Sequence, residues 1–562
     1  AYEYYRCKVA ELVEQANDAK QKVISLINVS KYIQESYYLG RFEIRNAEPE
    51  FRMQVFEILN DRGLELTKID RIRANVVNTF FDEADRDEYI EKWENIVTSF
   101  GTDSDKIEKY LSVYLSVIEK EVSSTADASS ELLNAFSTRN IESSITPQFE
   151  TLGQARPFLN KAEEFVSYYK DISKPNLEES ELEISTDYQN QCREVLIRLN
   201  DLSTTQWHPL ILYTYHYTVN EPSGDAKQFY KLLEATEKLN IRRLLVGSNP
   251  NIFENIFVRA AHEFKNKAES SSEDPYTQTR NYMIETMQSN ASQLFSDELV
   301  DRLSQADSWN ENYAKLIFEK ISNQKFRDSP GAVDREVNLK NTHLEHILPQ
   351  DLIWGSGDDT WPREFFKLDR ESMNIGQEVE SYISLINKEQ DDEAELSDEQ
   401  IQRKEEIKSF LQQRFINDIG NYLLLNASDN ISASNRPLSE KIPRYYNDSD
   451  DFTGIHVNRY LTTENEDLDR KKLNRILSQA EKVDSVNRES IDDELKSYFD
   501  GFWTVNKLKQ RRVQLILDIL EILSFKELDD EFGLRTECKQ VEERVRQQTE
   551  EEFEKRLSMR SL

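Results

Sequence analysis

Apolar residues recur every three or four positions along most of this chain, which is the spacing of one face of an α-helix. Near the N-terminus, a helical run from Phe51 through Ile58 reaches Gly63, and glycine favours the left-handed conformation that commonly ends a helix. A second run begins at Thr67, which forms a capping-box-like pair with Asp70. The pattern therefore predicts two helices joined by a tight turn.

The same spacing continues from about residue 107 to residue 325, in segments that polar linkers divide. These predicted linkers are residues 123–130, 270–275 and 328–331. Near the C-terminus, the apolar positions of residues 508–523 predict an amphipathic helix. Only 14 Gly and 13 Pro interrupt the whole length. We therefore predict a mainly α protein with short connections.

Length and composition bound the architecture and the compartment. A chain of 562 residues is too long for one hydrophobic core, so we expect several domains. No run approaches the roughly 18 apolar residues of a membrane span, so we expect no membrane partner. The three cysteines, Cys7, Cys192 and Cys538, are scattered and indicate neither a disulfide framework nor a zinc site, which is typical of the cytoplasm. The first residue is Ala1 rather than Met, which we interpret as a chain that begins inside a longer protein.

One set of residues has the chemistry that phosphodiester hydrolysis needs. Glu345 and His346 are followed by Pro349, and Asn421 and Asn430 lie further along. A histidine can accept a proton from water near neutral pH, and carboxylate and amide oxygens suit a hard cation such as Mg²⁺ or Mn²⁺. We predict His346 as the catalytic base, Glu345 and Asn430 as metal ligands, and Asn421 as a residue that orients the loop or the imidazole.

A structural interpretation of the same residues stays open. A buried, hydrogen-bonded histidine can end a strand, and asparagines are common in turns. Three other histidines, His208, His216 and His262, lie in apolar or aromatic segments, and we expect them to be core residues.

The net charge is strongly negative. Lys and Arg number 71 and Asp and Glu number 105, which gives −34. This is the wrong sign for nucleic-acid binding, because phosphate contacts need positive charge. Either the acidic surface is adapted to a salty cytoplasm, or the chain does not bind nucleic acid. If it does, the expected DNA contacts are the basic residues that follow the candidate motif: Lys471, Lys472, Lys507 and Arg511.

Two separated groups of motifs resemble one known family. Glu-His-Ile-Leu-Pro-Gln at residues 345–350, Ile-Gly-Asn-Tyr-Leu-Leu-Leu within residues 419–441, and Trp503 with the following helix look like the C-terminal nuclease half of GmrSD-type modification-dependent restriction enzymes. Residues 56–67 with Asp70 resemble a hallmark of that family's N-terminal half. The resemblance spans almost the whole chain. It implies a ββα-metal (HNH) nuclease element embedded in a multi-domain helical protein.

The family resemblance also implies a function. It implies cleavage of DNA, often modified or foreign DNA, in the defence of a prokaryote against phage. It further implies a nucleotide-hydrolysing, ParB-like N-terminal half with an Asp-Gly-Gln-Gln-Arg motif. The only Gln-Gln-Arg of this chain, residues 412–414, lacks the preceding Asp-Gly. We therefore expect any nucleotide dependence to require a region upstream of Ala1.

The predicted domains follow from the patterns and the resemblance together. We expect the end of the ParB-like domain at 1–100, a helical middle domain at 101–300, the HNH domain at 301–525 with an exposed acidic helical insertion at 379–408, and a charged helical tail at 526–562 that packs or oligomerises. DNA and a second copy of the chain are the expected partners. The alternatives are a catalytically inactive helical regulatory protein on the same scaffold and an RNA-cleaving, toxin-like nuclease.

Overall fold

The structure is a computed structural model, and it describes the chain in segments. They are residues 19–36, 67–79, 83–101, 103–118, 124–135, 152–174, 186–270, 274–306, 309–328, 342–352, 360–366, 374–389, 396–426, 455–461, 503–525 and 539–558, with the single residues 9, 182, 184, 337, 441 and 475. The chain divides into two compact units, residues 1–86 and residues 87–562.

The first unit contains helices α1 (Ala19–Ser36) and α2 (Lys68–Thr79). A reciprocal cap begins α2, because the Thr67 amide donates to Asp70 Oδ2 at 3.0 Å and the Asp70 amide donates to Thr67 Oγ1 at 3.2 Å. These two bonds satisfy amides that a helix start leaves without partners. The predicted capping pair is confirmed, and the predicted turn at Gly63 lies outside the described residues.

The described residues of the second unit are helical through its N-terminal half. Its described helices are α3 (Glu83–Ser99, beginning just before the unit), α4 (Ser104–Ile118), α5 (Thr125–Ala135), α6 (Leu152–Ser173), α7 (Thr186–Asp201), α8 (His208–Asn220), α9 (Ala226–Val246), α10 (Pro250–Ser270), α11 (Pro275–Asn290), α12 (Ser296–Gln305) and α13 (Glu311–Asp328). Each buries one apolar face, and the prediction of a mainly α protein is confirmed. None of the helices in the described segments combines the length and the apolar character that a membrane crossing requires.

The linker predicted at residues 123–130 is wrong, because most of it belongs to α5. The Ser124 hydroxyl accepts the Asp127 amide at 3.0 Å and so begins the helix. Ala128 and Leu132 are fully buried on one face. The serines of this segment indicated a loop, whereas the buried apolar face outweighs their low helix propensity.

Helix α9 lies at the centre of this unit, against α7, α8, α11 and α12. The Asp225 carboxylate caps its N-terminus, and Gly247, at φ +69°, ends it in the left-handed conformation that glycine tolerates. Its buried Glu237 joins three helices, because Arg198 of α7 and Lys320 of α13 each bind one carboxylate oxygen, at 2.5 and 2.7 Å. A buried carboxylate is stable here only because both partners are charged donors.

The described residues form one sheet, which has two antiparallel strands. Strand β1 (Thr342–His346) pairs with strand β2 (Tyr422–Asn426), so that Glu345 lies opposite Leu423 and His346 opposite Tyr422. The predicted HNH element requires such a strand pair followed by a helix, and it stays a prediction. The helix expected after β2 falls on residues outside the description.

Between the two strands, the described segments contain the α-helices α14 (Thr360–Phe366), α15 (Asn374–Glu389) and α16 (Asp398–Leu411). The last two cover most of the insertion predicted at 379–408, so its helical character is confirmed. Its predicted exposure is wrong on one face. Val379, Tyr382, Ile383 and Ile407 are buried in one apolar core with Trp361 and Phe415.

Two helices complete the second unit, α17 (Val505–Leu523) and α18 (Lys539–Ser558). Helix α18 packs on α12 and α17, and Arg544 binds both oxygens of Asp301 at 2.6 and 2.7 Å. The charged C-terminal segment is thus helical and packs within its own chain. The boundaries predicted at 300/301 and 525/526 do not coincide with a break between compact units.

Candidate active site

Glu345 and His346 end strand β1, and their side chains leave it in different directions. Successive side chains of a strand point to opposite faces of the sheet. The His346 ring contacts the Tyr422 ring edge to face, with centroids 5.0 Å apart. The Glu345 carboxylate instead meets Lys441. The acid and the histidine, adjacent in sequence, therefore have separate surroundings.

His346 is a buried, neutral histidine with an available nitrogen. It is 9% exposed, and its Nε2 has no hydrogen-bond partner in the described segments. Burial and the charge of Lys441 outweigh a hydrogen bond with Asn417, which acts in the opposite direction, and lower the pKa of His346 to about 4. The ring is therefore uncharged at neutral pH and can accept a proton. The carboxylate of Glu311, the first residue of α13, lies 3.6 Å from Nε2 and would attract the ring once it is charged.

Glu345 is held by a buried lysine. The Lys441 ammonium donates to Glu345 Oε1 at 2.7 Å and to the backbone carbonyl of His346 at 2.7 Å. Burial lowers the pKa of Lys441, and the negative charge of Glu345 opposes that effect. Lys441 also lies 6.0 Å from the centre of the Trp361 ring. This ammonium therefore occupies the cation position beside Glu345.

The described donors do not by themselves amount to a metal site. Within the described segments, no three His, Cys, Asp or Glu side chains are grouped closely enough to hold an ion. Asn430, the second predicted ligand, lies outside those segments. Glu345 supplies a carboxylate of the right chemistry, but a divalent cation there would have to share it with Lys441 or displace the ammonium.

Asn421 fixes the loop that follows β1. Its side-chain amide donates to the carbonyls of Leu348 and Ile416, each at 2.9 Å, and its Oδ1 accepts the Leu348 amide at 2.7 Å. Its own carbonyl accepts the Ile347 amide at 2.9 Å. Of the two predicted roles, these bonds go to the loop and not to the imidazole. Asn421 is therefore a positioning residue, and it is fully buried.

Helix α17 lies directly behind this loop. A Cβ at Gly420 would come within 2.6 Å of the Leu508 carbonyl, so only glycine allows the helix to approach this closely. Arg511 donates to the carbonyls of Gly420, at 2.6 Å, and of Val457, at 2.9 Å. It is 2% exposed. The prediction that Arg511 contacts DNA is contradicted, because its guanidinium is used to join backbone segments.

The remaining predicted DNA contacts are less well placed. Lys507 lies in the first turn of α17 and is half-buried. Lys471 and Lys472 lie outside the described residues. The structure therefore brings His346, Glu345 and Asn421 together at the hairpin and gives no position for the two lysines.

Several residues that build the site escaped the sequence analysis. Asn458 donates to the Leu424 carbonyl at 2.7 Å and accepts its amide at 3.0 Å, and so satisfies the free edge of β2. Asp418 is fully buried and binds Arg512 and Arg556. No spacing rule links these residues to the Glu-His pair, since the contacts join positions far apart in sequence.

Part of this site is similar to a known family. Residues 386–516 match the family described as GmrSD restriction endonucleases, C-terminal domain. The match covers Asn421, β2 and the first part of α17, begins after Glu345 and His346, and does not extend to the segment expected to be ParB-like. No curated protein and no solved structure matches the chain. The C-terminal part of the chain is therefore similar to the C-terminal domain of GmrSD restriction endonucleases, which supports a nuclease of the GmrSD type.

Proposed function

We propose that this chain is the nuclease component of a restriction or antiphage system and hydrolyses phosphodiester bonds of DNA at His346. One observation carries the proposal: a buried histidine whose Nε2 has no hydrogen-bond partner among the described residues ends a strand that pairs with β2, and β2 lies within the segment similar to restriction endonucleases. The similarity to restriction endonucleases supports DNA as the substrate, and the strand β1 carries His346, the proposed base.

His346 acts as the general base. Its Nε2 takes a proton from water, the water oxygen bonds to phosphorus, and the bond from phosphorus to the leaving oxygen breaks. The leaving oxygen then takes a proton from the solvent. A positioned base of this kind typically contributes about 10²–10⁴-fold to the rate. The proton on His346 is stabilised by the carboxylate of Glu311, which lies 3.6 Å from Nε2.

Asn421 and Lys441 hold the base in place. Lys441 binds the His346 carbonyl and the Glu345 carboxylate, so it fixes the end of β1. Asn421 fixes the next two residues of the loop. Together they fix the backbone that carries His346, which reduces the entropy lost on reaching the transition state.

Divalent-metal dependence is the second part of the proposal. Glu345 and Asn430 are the proposed ligands and Mg²⁺ or Mn²⁺ the proposed ions. A bound cation would neutralise the negative charge that grows on the phosphate oxygens. Because Lys441 pairs with Glu345, metal binding is expected to weaken that ion pair.

DNA as the substrate requires local positive charge on an acidic chain. Lys471, Lys472 and Lys507 remain the proposed contacts, and Arg511 is withdrawn. Recognition of modified or foreign DNA is carried over from the similarity to restriction endonucleases. Nucleotide dependence is proposed only together with a ParB-like region upstream of Ala1.

A substrate comparison tests the proposal. The protein is incubated with supercoiled plasmid DNA and, separately, with single-stranded RNA, in the presence of Mg²⁺, Mn²⁺ or a chelator, across a series of salt concentrations. The expected result is that the plasmid is nicked or linearised, and that the chelator stops this cleavage. Cleavage of RNA alone would establish the toxin-like alternative. Absence of cleavage in every condition would favour the non-enzymatic scaffold, to which the charge of −34 also points.

A further inference from the structure

A cleft of about 270 Å³ lies in the helical part of the second unit, and no residue of the hairpin lines it. Its walls are α7, α9, α11 and α13, and the end of α17 closes it. This volume is near the lower limit of ligand pockets, roughly 300–1,000 Å³. The cleft therefore suits a small molecule and is too small for a nucleic-acid strand.

The charge of this cleft is opposite to that of the chain. Its lining contains five cationic side chains, Lys227, Lys231, Lys238, Arg280 and Lys325, against three carboxylates. The lining therefore carries a net charge of +2 in a chain whose net charge is −34. A positive pocket on an acidic protein concentrates small anions from solution.

The cations of α9 share one face of the helix. Lys227, Lys231 and Lys238 are separated by four and seven residues, which places them in one row. Lys238 is already engaged, since its ammonium donates to the Ser524 carbonyl at 2.9 Å and lies 3.4 Å from Glu234. Lys227 is exposed at the rim. The row therefore begins at Lys227, which faces solvent, and ends at Lys238, which is fixed inside the cleft.

The cleft also has aromatic walls. The rings of Tyr188 and Tyr230 lie 6.0 Å apart with their planes 31° from parallel. Phe525, which is 7% exposed, closes the far side, and Lys238 lies 5.8 Å from the centre of its ring. A flat or apolar group can pack on such rings while its charged end meets the lysines.

We propose that this cleft is a binding site for a small phosphate monoester that carries a ring. A phosphate monoester has a charge of about −1.5 to −2 at pH 7 and three strong acceptor oxygens, which matches the excess of +2 and the row of donors. Lys227 and Lys231 bind the phosphate, and Tyr188 and Tyr230 pack against the ring. This site is independent of the nuclease hairpin and of its proposed reaction.

Calorimetric titration of the full chain at low salt tests the site, since salt screens such contacts. The probes are phenyl phosphate, ribose 5-phosphate, inorganic phosphate, and succinate as a dicarboxylate of equal charge. Phenyl phosphate is expected to bind at one site per chain and several-fold more tightly than inorganic phosphate. Succinate binding as tightly as phenyl phosphate would overturn the assignment to phosphate esters, and absence of binding by all four would overturn the site.

Matched variants locate the binding. The double variant Lys227→Gln/Lys231→Gln is expected to bind phenyl phosphate at least about tenfold more weakly, the equivalent of one charge-assisted hydrogen bond. Lys267→Gln changes an exposed lysine of α10 that does not line the cleft and is expected to bind normally. His346→Ala is also expected to bind normally, so failure of the nuclease proposal would not affect this result. Equal affinity in the double variant and the Lys267 control would overturn the proposal, provided that both melt at the temperature of the parent protein.

Discussion

Asn421 is the side chain on which the shape of the loop after β1 most depends. Replacement by Ala removes both donors and the acceptor of its amide and leaves the Leu348 amide and two carbonyls buried without partners. An unsatisfied buried group costs about 1–3 kcal/mol, so Asn421→Ala is expected to lower the free energy of unfolding by about 2–4 kcal/mol and to slow cleavage. Urea denaturation measures the loss.

Asn290 provides the control for that variant, because its amide bonds only to a carbonyl of its own exposed helix end. Asn290→Ala is expected to cost less than about 0.5 kcal/mol, as exposed substitutions usually do. Similar losses in the two variants would show that the Asn421 bonds do not hold the loop.

His208 makes the protein sensitive to acid. It is 3% exposed, its ring nitrogens have no hydrogen-bond partners in the described segments, and burial, aided by Lys109, lowers its pKa to about 3. The unfolded chain, with a pKa near 6.5, binds the proton more readily, so stability is lost as the pH falls from about 6.5 towards 3. The difference amounts to about 3 kcal/mol at pH 4.

The variant His208→Phe removes this titration with a ring of similar shape. The melting temperature of the parent protein is expected to fall more steeply between pH 7 and pH 4 than that of the variant. Parallel pH profiles would contradict the buried, neutral state of His208. The expectation that His208 and His262 are core residues is confirmed, whereas His216 is partly exposed and lies 2.7 Å from Glu164.

At the scale of elements, the fit between α17 and the turn before β2 is the tightest contact behind the hairpin. Gly420→Ala would push a methyl group against the Leu508 carbonyl, which belongs to helix backbone and cannot rotate away. Overpacking of this kind costs about 1–3 kcal/mol or more. Gly247→Ala is the comparison, because a Cβ there meets nothing within 4 Å. Its only cost is the backbone strain of an alanine at φ +69°, about 1–2 kcal/mol. Thermal melts are expected to show that Gly420→Ala is less stable than Gly247→Ala, and Gly420→Ala is also expected to lose cleavage. The reverse order of stability would contradict the close approach of α17 to the turn at Gly420.

The sequence indicates these elements better than it indicates their contacts. Helical periodicity predicts α17, because an apolar face is visible in a single segment, whereas the insertion is predicted to be helical and exposed from its acidic composition. The pairing of β1 with β2 joins segments that lie on either side of α14, α15 and α16, and no local sequence pattern indicates that these two segments pair. Arg511 is predicted to contact DNA because it follows the candidate motif and the amphipathic pattern can leave it outside the buried face, whereas here backbone carbonyls satisfy its guanidinium. Lys441 ends the segment 419–441 that resembles the family, but the sequence does not indicate its pairing with Glu345.

At the scale of the whole molecule, the charge of −34 opposes compactness. Repulsion between exposed carboxylates is screened over about 10 Å at 0.1 M salt and about 3 Å at 1 M. The melting temperature is therefore expected to rise by several degrees when KCl is increased over this range. Sucrose at equal osmolarity is the control for general effects of solutes. A melting temperature that is constant or falls with KCl would show that the acidic surface does not limit stability.

The rate of plasmid cleavage by the His346→Ala variant tests whether His346 is the general base. His343 lies on the same strand and is exposed, so His343→Ala is the matched control for the loss of a histidine from β1. Single-turnover rates are measured for the parent and both variants at one metal and salt concentration, after circular dichroism has shown equal folding. We expect a loss of at least about 10²-fold for His346→Ala and a rate close to that of the parent for His343→Ala. A His346→Ala protein that cleaves at the parental rate would contradict the assignment of the base.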